Sequence, residues 1–271
     1  MPELAEVECV RRVLKENIIN LKINDIEIKY DKIVENDINY FIDSLKNQTY
    51  KDILRRGKYL IFVLDKGYII SHLRMEGKYF YFKEDENITK HTHVIFHLNN
   101  GYKLCYEDVR KFGRMKYVIS NDIFKEEPLS LLGWDPILDD KIENIIIYDK
   151  IIKSNAPIKE LLLRQDIITG LGNIYVDEVL FKSNINPLRK GKDISLEETN
   201  KICLNSKLIL EDAIKHKGTT IKSYTSSFHV KGEYQNFLSV HTKKICPHCK
   251  MALTCVKIQG RTTYYCENCQ R

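Results

Sequence analysis

Apolar residues at the start of the chain recur at helical spacing, with Val7, Val10, Val13 and Leu14 on one face, so a helix is predicted almost from the first residue. From residue 22 to 120 the pattern shortens to runs rich in β-branched and aromatic residues: LKINDIEIKY, KYLIFVLDKG, YIISHLRMEG, KYFYFK, HTHVIFHLNNG, YKLCYEDV and RMKYVIS. DKG and NNG between them are hairpin turn signals. Strands at this close spacing imply an antiparallel sandwich or barrel, and spacing alone does not choose between the two. PLSLLGWDPI (128–137) is a Pro/Gly-punctuated linker. Beyond it the period is helical. Pro157 suits the first turn of a helix carrying Ile158, Leu161, Leu162 and Gln165 on one side. IYVDEVLFKSN (174–184) places Val176, Val179, Leu180 and Ser183 at helical spacing, and SLEETNKICLNSKLILEDAIKH (195–216) opens on a Ser195/Glu198 capping-box pattern. Short strands return from about residue 245. The expected fold class is α+β: a strand-rich domain over 1–125, a helical one over 126–240, and a β-hairpin over 241–271 that completes the second domain.

A chain of 271 residues with 43% hydrophobic content can bury a full core. No apolar run approaches membrane-spanning length, the longest being strand-sized runs such as YLIFVL (59–64). Charges stand where a signal peptide would need an apolar stretch, so the chain is read as cytoplasmic. Charge changes the picture more. The total is +6, from 43 basic and 37 acidic residues. From Lys215 onward there are ten Lys/Arg against Glu233 and Glu267, so this tail carries +8 and the preceding residues −2. A basic segment of this kind suits a polyanion such as nucleic acid, or else a solvated lysine-rich surface.

Cys9, Cys105, Cys203 and Cys255 sit singly within periodic segments, as small apolar residues of a reducing compartment do. Cys246, Cys249, Cys266 and Cys269 form CPHC, sixteen residues, then CENC. Paired Cys-x-x-Cys turns present four thiolates tetrahedrally, which suits one structural Zn2+; a redox dithiol pair or an iron site are the alternatives. Two strand-like arms around Gln259-Gly260 lie between the pairs, and zinc would supply folding energy that so small a hairpin lacks. Arg261 falls at the hairpin tip.

The first residues, MPELAEVE, raise a separate possibility. Removal of Met1 would leave Pro2 as a secondary α-amine, far less basic than a lysine, at the positive end of a helix. Its condensation with a carbonyl-like carbon gives an electron-withdrawing iminium, and Glu3 beside it can move protons or stabilise a cation. Taken alone, Pro-Glu equally opens an ordinary helix.

PELAEVE, RRGKYL (55–60), SHLRMEGKY (71–79), KHTHV (90–94), DVRKFG (108–113), GLGNIYVDEVLF (170–181), GTTIKSY (218–224) and the four-cysteine end together resemble the formamidopyrimidine-DNA glycosylases, bacterial base-excision repair enzymes, over essentially the whole chain. The resemblance implies a β-sandwich domain carrying the proline, then a helix–two-turn–helix domain with a zinc finger, with DNA across the cleft between them. It implies a monomer acting on duplex DNA that contains an oxidised purine (8-oxoguanine or a formamidopyrimidine) or an abasic site. Pro2 would attack C1′ of a flipped nucleotide, and β- and δ-elimination would cut the strand.

By the same resemblance Glu3 is the acid/base near the sugar, Lys58 acts in β-elimination, and Arg261 clasps phosphate and assists δ-elimination. His72, His91, Arg110, Lys153 and Asn173 are expected DNA contacts. Met75, Arg110 and Phe112 would fill the vacated stack, an apolar wedge with an arginine beside it. Lys159, Thr220, Ile221, Lys222, Ser223 and Tyr224 would contact the flipped base. Three positions depart from the family pattern: Ala5 stands where a second proline is usual, His241 where a tyrosine is usual, and GWDP (133–136) replaces a GPDP-like segment. His241 is expected to keep a weakened phosphate contact. The rival readings are an endonuclease VIII-like enzyme for oxidised pyrimidines, against which PELAEVE and DVRKFG speak, and a zinc-stabilised DNA binder without catalysis.

Overall fold

The computed structural model describes residues 2–141, 144–219 and 232–271. Two compact units emerge. Pro2, Glu6–Ser130, Thr219 and Gly232 belong to the first, and Glu3–Ala5, Leu131–Gly218 and Glu233–Arg271 to the second. The N-terminal helix α1 (Leu4–Ile18) therefore contributes to both: Val7, Val10, Leu14 and Ile18 join one core and Leu4 and Ala5 the other.

In the first unit, β1 (Ile23–Ile28), β6 (Thr92–Leu98), β7 (Tyr102–Glu107) and β5 (Lys78–Lys83) form one antiparallel sheet in that order. A second antiparallel sheet runs β2 (Tyr50–Arg56), β3 (Tyr59–Leu64), β4 (Tyr68–His72), β8 (Arg114–Val118). Phe62 and Ile69 of one sheet and Val94, Phe96 and Leu104 of the other bury in a single cluster, so the architecture is a sandwich. Gly67 and Gly101, at φ +90° and +78°, close the DKG and NNG turns in the left-handed region that glycine tolerates. The reading of 22–120 as β throughout needs one correction. Ile38–Leu45 is a helix, α2, whose N-cap Asp37 accepts from the Tyr40 amide at 2.9 Å and whose Phe41 and Leu45 reach the core at i, i+4 spacing. So short an apolar run does not reveal its period.

The second unit packs α3 (Asn144–Ile151), α4 (Ile158–Leu163), α5 (Asn173–Lys182) and α6 (Leu196–Lys215) around one apolar cluster. The capping box on α6 forms as expected: Ser195 Oγ accepts from the Glu198 amide, and Glu198 returns a carboxylate to the Ser195 amide. Pro157 is the N-cap of α4, but the helix ends at Leu163, so Gln165 is not on it. The Gln165 side chain instead donates to the carbonyls of Leu163 and Leu171 and accepts from the Gly170 amide, bracing the turn that precedes α5. β9 (Thr254–Ile258) and β10 (Arg261–Tyr265) form the terminal hairpin. Among the described residues no helix is long and apolar enough to cross a membrane.

Candidate active site and nucleic-acid interface

Pro2 is buried and lies two residues before the first residue of α1, at the positive end of that helix. Glu3 is buried in the second unit. Its carboxylate accepts from the amides of Gly172 (2.6 Å), Ile174 (2.9 Å) and Tyr175 (3.3 Å). These are the donors that the first turn of α5 leaves without intrahelical partners, and Gly172, its N-cap, has no side chain to satisfy them. A carboxylate from the far end of the chain therefore caps α5. Gly172 is required by space: a Cβ there would lie 2.3 Å from Glu3 Cδ. The Leu4 amide donates to Gly170 O at 3.1 Å and fixes the adjoining backbone. Asn173 was expected to offer donors to a phosphate from this turn. Three of the turn's amides are committed to Glu3, and Asn173 Nδ2 donates to Thr262 O at 2.9 Å.

In the first unit Lys58 follows Gly57 (φ +55°) in the β2–β3 turn and is 6% exposed. The turn is shaped from beneath. The buried Arg55 guanidinium pairs with Glu8 at 3.2 Å and donates to Gly57 O at 3.0 Å. Burial alone would raise the Glu8 pKa, but hydrogen bonds from Arg11 and Arg12 and the charges of Arg11 and Arg55 hold it down at about 2. His72, at the end of β4, accepts the Arg74 amide on Nδ1 (2.9 Å), which leaves Nε2 to carry the proton. Burial first, then the charges of Arg74 and Lys58, lowers its pKa to about 3, so at neutral pH the ring is a neutral donor. His91 is half-buried just before β6. Two residues on, the His93 ring is buried, with Nε2 2.8 Å from Asp108 O.

The residues expected to form the wedge come together in this unit. The Arg110 guanidinium sits 4.8 Å over the Phe112 ring, which is 47% exposed. Met75 and Phe112, with Arg74 and Arg114, line a hollow of about 360 Å3. The buried Asp108 carboxylate gathers the amides of Arg110 (3.0 Å), Phe112 (2.9 Å) and Gly113 (2.8 Å). The Tyr106 hydroxyl occupies the space a Cβ would need at both Gly77 and Gly113, the glycines of the two loops. Glu6, also buried, accepts from the Thr219 amide at 2.7 Å and its hydroxyl at 3.0 Å. The expected base-contacting residues Thr220, Ile221, Lys222, Ser223 and Tyr224 lie outside the described residues.

In the second unit Lys153 and Arg261 are exposed. Lys159 is not presented at the surface: its fully buried ammonium bonds Asp177 Oδ1 (2.7 Å), Thr263 Oγ1 (2.9 Å) and Thr262 O (3.2 Å). His241 is also turned inward, 7% exposed, with Nδ1 2.7 Å from Asp177 Oδ2, which corrects the expectation of a phosphate contact there. Glu178 accepts from the amides of Ser239, Val240 and His241 and so holds the approach to the finger. Asp177, Glu178 and Asp108 were not singled out in the sequence, where an acidic residue on a helix or loop reads as solvated surface.

The Sγ atoms of Cys246, Cys249, Cys266 and Cys269 all lie within 4.8 Å of one another, at 3.8 Å for Cys246–Cys269 and 3.4 Å for Cys249–Cys266. A tetrahedral ion with bonds of about 2.3 Å to sulfur separates its ligands by about 3.8 Å, so the four thiols fit a metal site. Phe181 and Val240 pack against them.

Residues 1–115 match the formamidopyrimidine-DNA glycosylase N-terminal domain and residues 132–225 the formamidopyrimidine-DNA glycosylase H2TH domain. The formamidopyrimidine-DNA glycosylase of Oceanobacillus iheyensis is 41% identical over 274 residues, covering 100% of this chain and 98% of that one. That of Streptococcus pneumoniae serotype 4 is 41% identical over 273 residues, covering 100% and 99%. Among solved structures, a variant of the Lactococcus lactis FPG in complex with Fapy-dG-containing DNA superposes with a TM-score of 0.94 at 36% identity, covering 100% of both chains. The same organism's Fpg with DNA containing an abasic site gives 0.93 at 36% identity over 99% of both. The chain belongs to the formamidopyrimidine-DNA glycosylase family.

Proposed function

We propose that this chain excises oxidised purines, 8-oxoguanine and formamidopyrimidines, from duplex DNA and then cleaves the strand, with Pro2 as the nucleophile. The trimmed amine attacks C1′ and expels the base, and the resulting iminium acidifies the neighbouring C2′ proton so that β- and then δ-elimination follow. The observation that carries this reading is the Glu3 carboxylate, fixed by three amides of the α5 N-terminus in the residue next to that amine. A carboxylate so held can stabilise positive charge developing at the sugar without reorganising. Lys58 serves β-elimination and Arg261 δ-elimination. His72, as a neutral donor, joins His91, Arg110 and Lys153 in contacting the DNA, Asn173 adds the Nδ2 hydrogen that Thr262 O does not take, and Met75, Arg110 and Phe112 fill the vacated stack. Residues 220–224 contact the flipped base.

The four cysteines would hold one structural Zn2+, which supplies folding energy to the terminal hairpin. A DNA substrate and thiols kept as ligands favour the reducing cytoplasm as the place of work, with a single chain acting on each lesion.

The test is incubation with a duplex containing 8-oxoguanine opposite cytosine in the presence of borohydride, followed by mass analysis of the adduct and of bound metal. A covalent species joined through Pro2, from protein carrying about one zinc ion per chain, is expected. Lesion binding by trimmed protein without any adduct would overturn the nucleophile assignment. An adduct formed only with an oxidised pyrimidine would favour the endonuclease VIII-like reading.

A further inference from the structure

Arg261 is an exposed residue at the first position of β10, following a turn whose Gln259 and Gly260 take φ of +48° and +71°. A two-stranded hairpin has little core, and a long side chain at its tip can act in chemistry only if the strand beneath it is fixed. The fixing is internal and ionic. The carbonyl of Thr262, the residue after Arg261, accepts from both Lys159 Nζ (3.2 Å) and Asn173 Nδ2 (2.9 Å). Lys159 also donates to Thr263 Oγ1, so two successive residues of β10 rest on one ammonium from α4. That ammonium is balanced by Asp177 of α5, whose second oxygen accepts from His241 Nδ1 at 2.7 Å and lies 3.4 Å from the Tyr264 amide. All of these groups lie in the second unit, and Lys159 and Asp177 side chains are both fully buried.

A buried Lys–Asp pair contributes little net stability, because desolvation offsets most of the attraction; what it supplies is directional constraint, since leaving either partner alone is costly. Here the constraint converges on the segment that carries Arg261.

We propose that Lys159, Asp177 and His241 form a brace that positions Arg261, making Lys159 a positioning residue for the strand-cleavage step and not a contact to the flipped base. The inference rests on the reading that Arg261 assists δ-elimination. His241, one of the departures from the family pattern, thereby takes a structural part: it occupies the second oxygen of Asp177, which would otherwise be a partly satisfied buried carboxylate.

The test uses the full-length protein and a duplex with an abasic site, on which β- and δ-cut products are counted separately and borohydride adducts are measured in parallel. Lys159→Met, which keeps length and removes the donor, is expected to lower the δ-to-β product ratio by about tenfold, as Arg261→Ala is expected to do. The double variant should fall no further than either single one, because both act through the same side chain. Multiplication of the two effects, to about a hundredfold, would overturn the proposal. So would an equal loss of adduct and δ product in Lys159→Met, which returns the residue to the sugar. Hydrogen exchange judges the brace independently of the chemistry. The amides of Thr263 and Tyr264 should exchange faster in Lys159→Met while those of α6 do not, and His241→Phe should show the same pattern more weakly. Unchanged exchange in β10 sinks the brace. If the wild-type protein makes β product and no δ product, it is the role of Arg261 that falls, and exchange in β10 alone decides whether Lys159 braces the hairpin.

Discussion

Asp108 in the first unit and Glu3 in the second use one device: a buried carboxylate that collects three backbone amides. They differ in reach. Asp108 gathers amides two to five residues ahead of it and shapes its own loop, the one that carries Arg110 and Phe112. Glu3 gathers amides some 170 residues away and caps a helix that it is not part of. The local device holds the loop proposed to act as a wedge. The long-range one holds a charged group in the residue next to Pro2, the proposed nucleophile, where displacement of about 1 Å would cost on the order of a hundredfold in rate. The same bonds therefore carry different consequences.

Gly172→Ala should produce the largest effect. Its Cβ would meet Glu3 Cδ at 2.3 Å, and the carboxylate must leave at least part of its cradle. Adduct formation with 8-oxoguanine duplex should slow on the order of a hundredfold, with the melting curve shifted far less. A near-normal rate would show that Glu3 does not need the α5 N-terminus. Asp108→Asn comes next. Its amide turns a donor toward the donors of Phe112 and Gly113, at a cost of about 1–3 kcal/mol in denaturant melts. Affinity for lesion duplex should fall several-fold while adduct formation on abasic-site DNA is largely kept; equal loss of both would erase the contrast between wedge and catalytic cradle.

The smallest effect concerns a third carboxylate, Glu8, which collects guanidinium groups and not amides. Its pKa is lowered on folding from 4.5 to about 2, so its contribution to stability is fully present above about pH 4.5 and is lost as the pH falls through 2. Denaturant melts between pH 5 and 2 should therefore lose part of their acid dependence in Glu8→Gln; an unchanged slope would show that other carboxylates account for it.

Much of the architecture was legible from local pattern. The Ser195/Glu198 box, the DKG and NNG turns and the paired Cys-x-x-Cys turns each state their structure within a few residues, because the partners that satisfy them are neighbours in the chain. Where pattern misled, the run was short or the partner distant. Ile38–Leu45 is too brief to show a helical period, and Gln165 fell on the extrapolated face of a helix that stops at Leu163. The sequence gives no sign that His93 is buried: β6 begins at Thr92, and its second residue turns inward onto Asp108. Lys159, a base contact only by the family resemblance, reads alone as an ordinary helix residue, because nothing nearby in sequence reveals Asp177, eighteen residues on, or Thr262 and Thr263, more than a hundred on.

The amino-acid sequence by itself determined the α+β order of elements, the terminal four-thiol hairpin, the start on Pro-Glu and the family, since each rests on composition, short-range spacing or ordered motifs. Only the tertiary structure decided that Glu3 caps α5, that Lys159 and His241 turn inward onto Asp177, and that Met75 and Phe112 line one hollow. Those are contacts between buried polar or apolar groups far apart in the chain. Burial obliges each polar group to find a partner, but which partner it finds is set by packing and not by sequence distance.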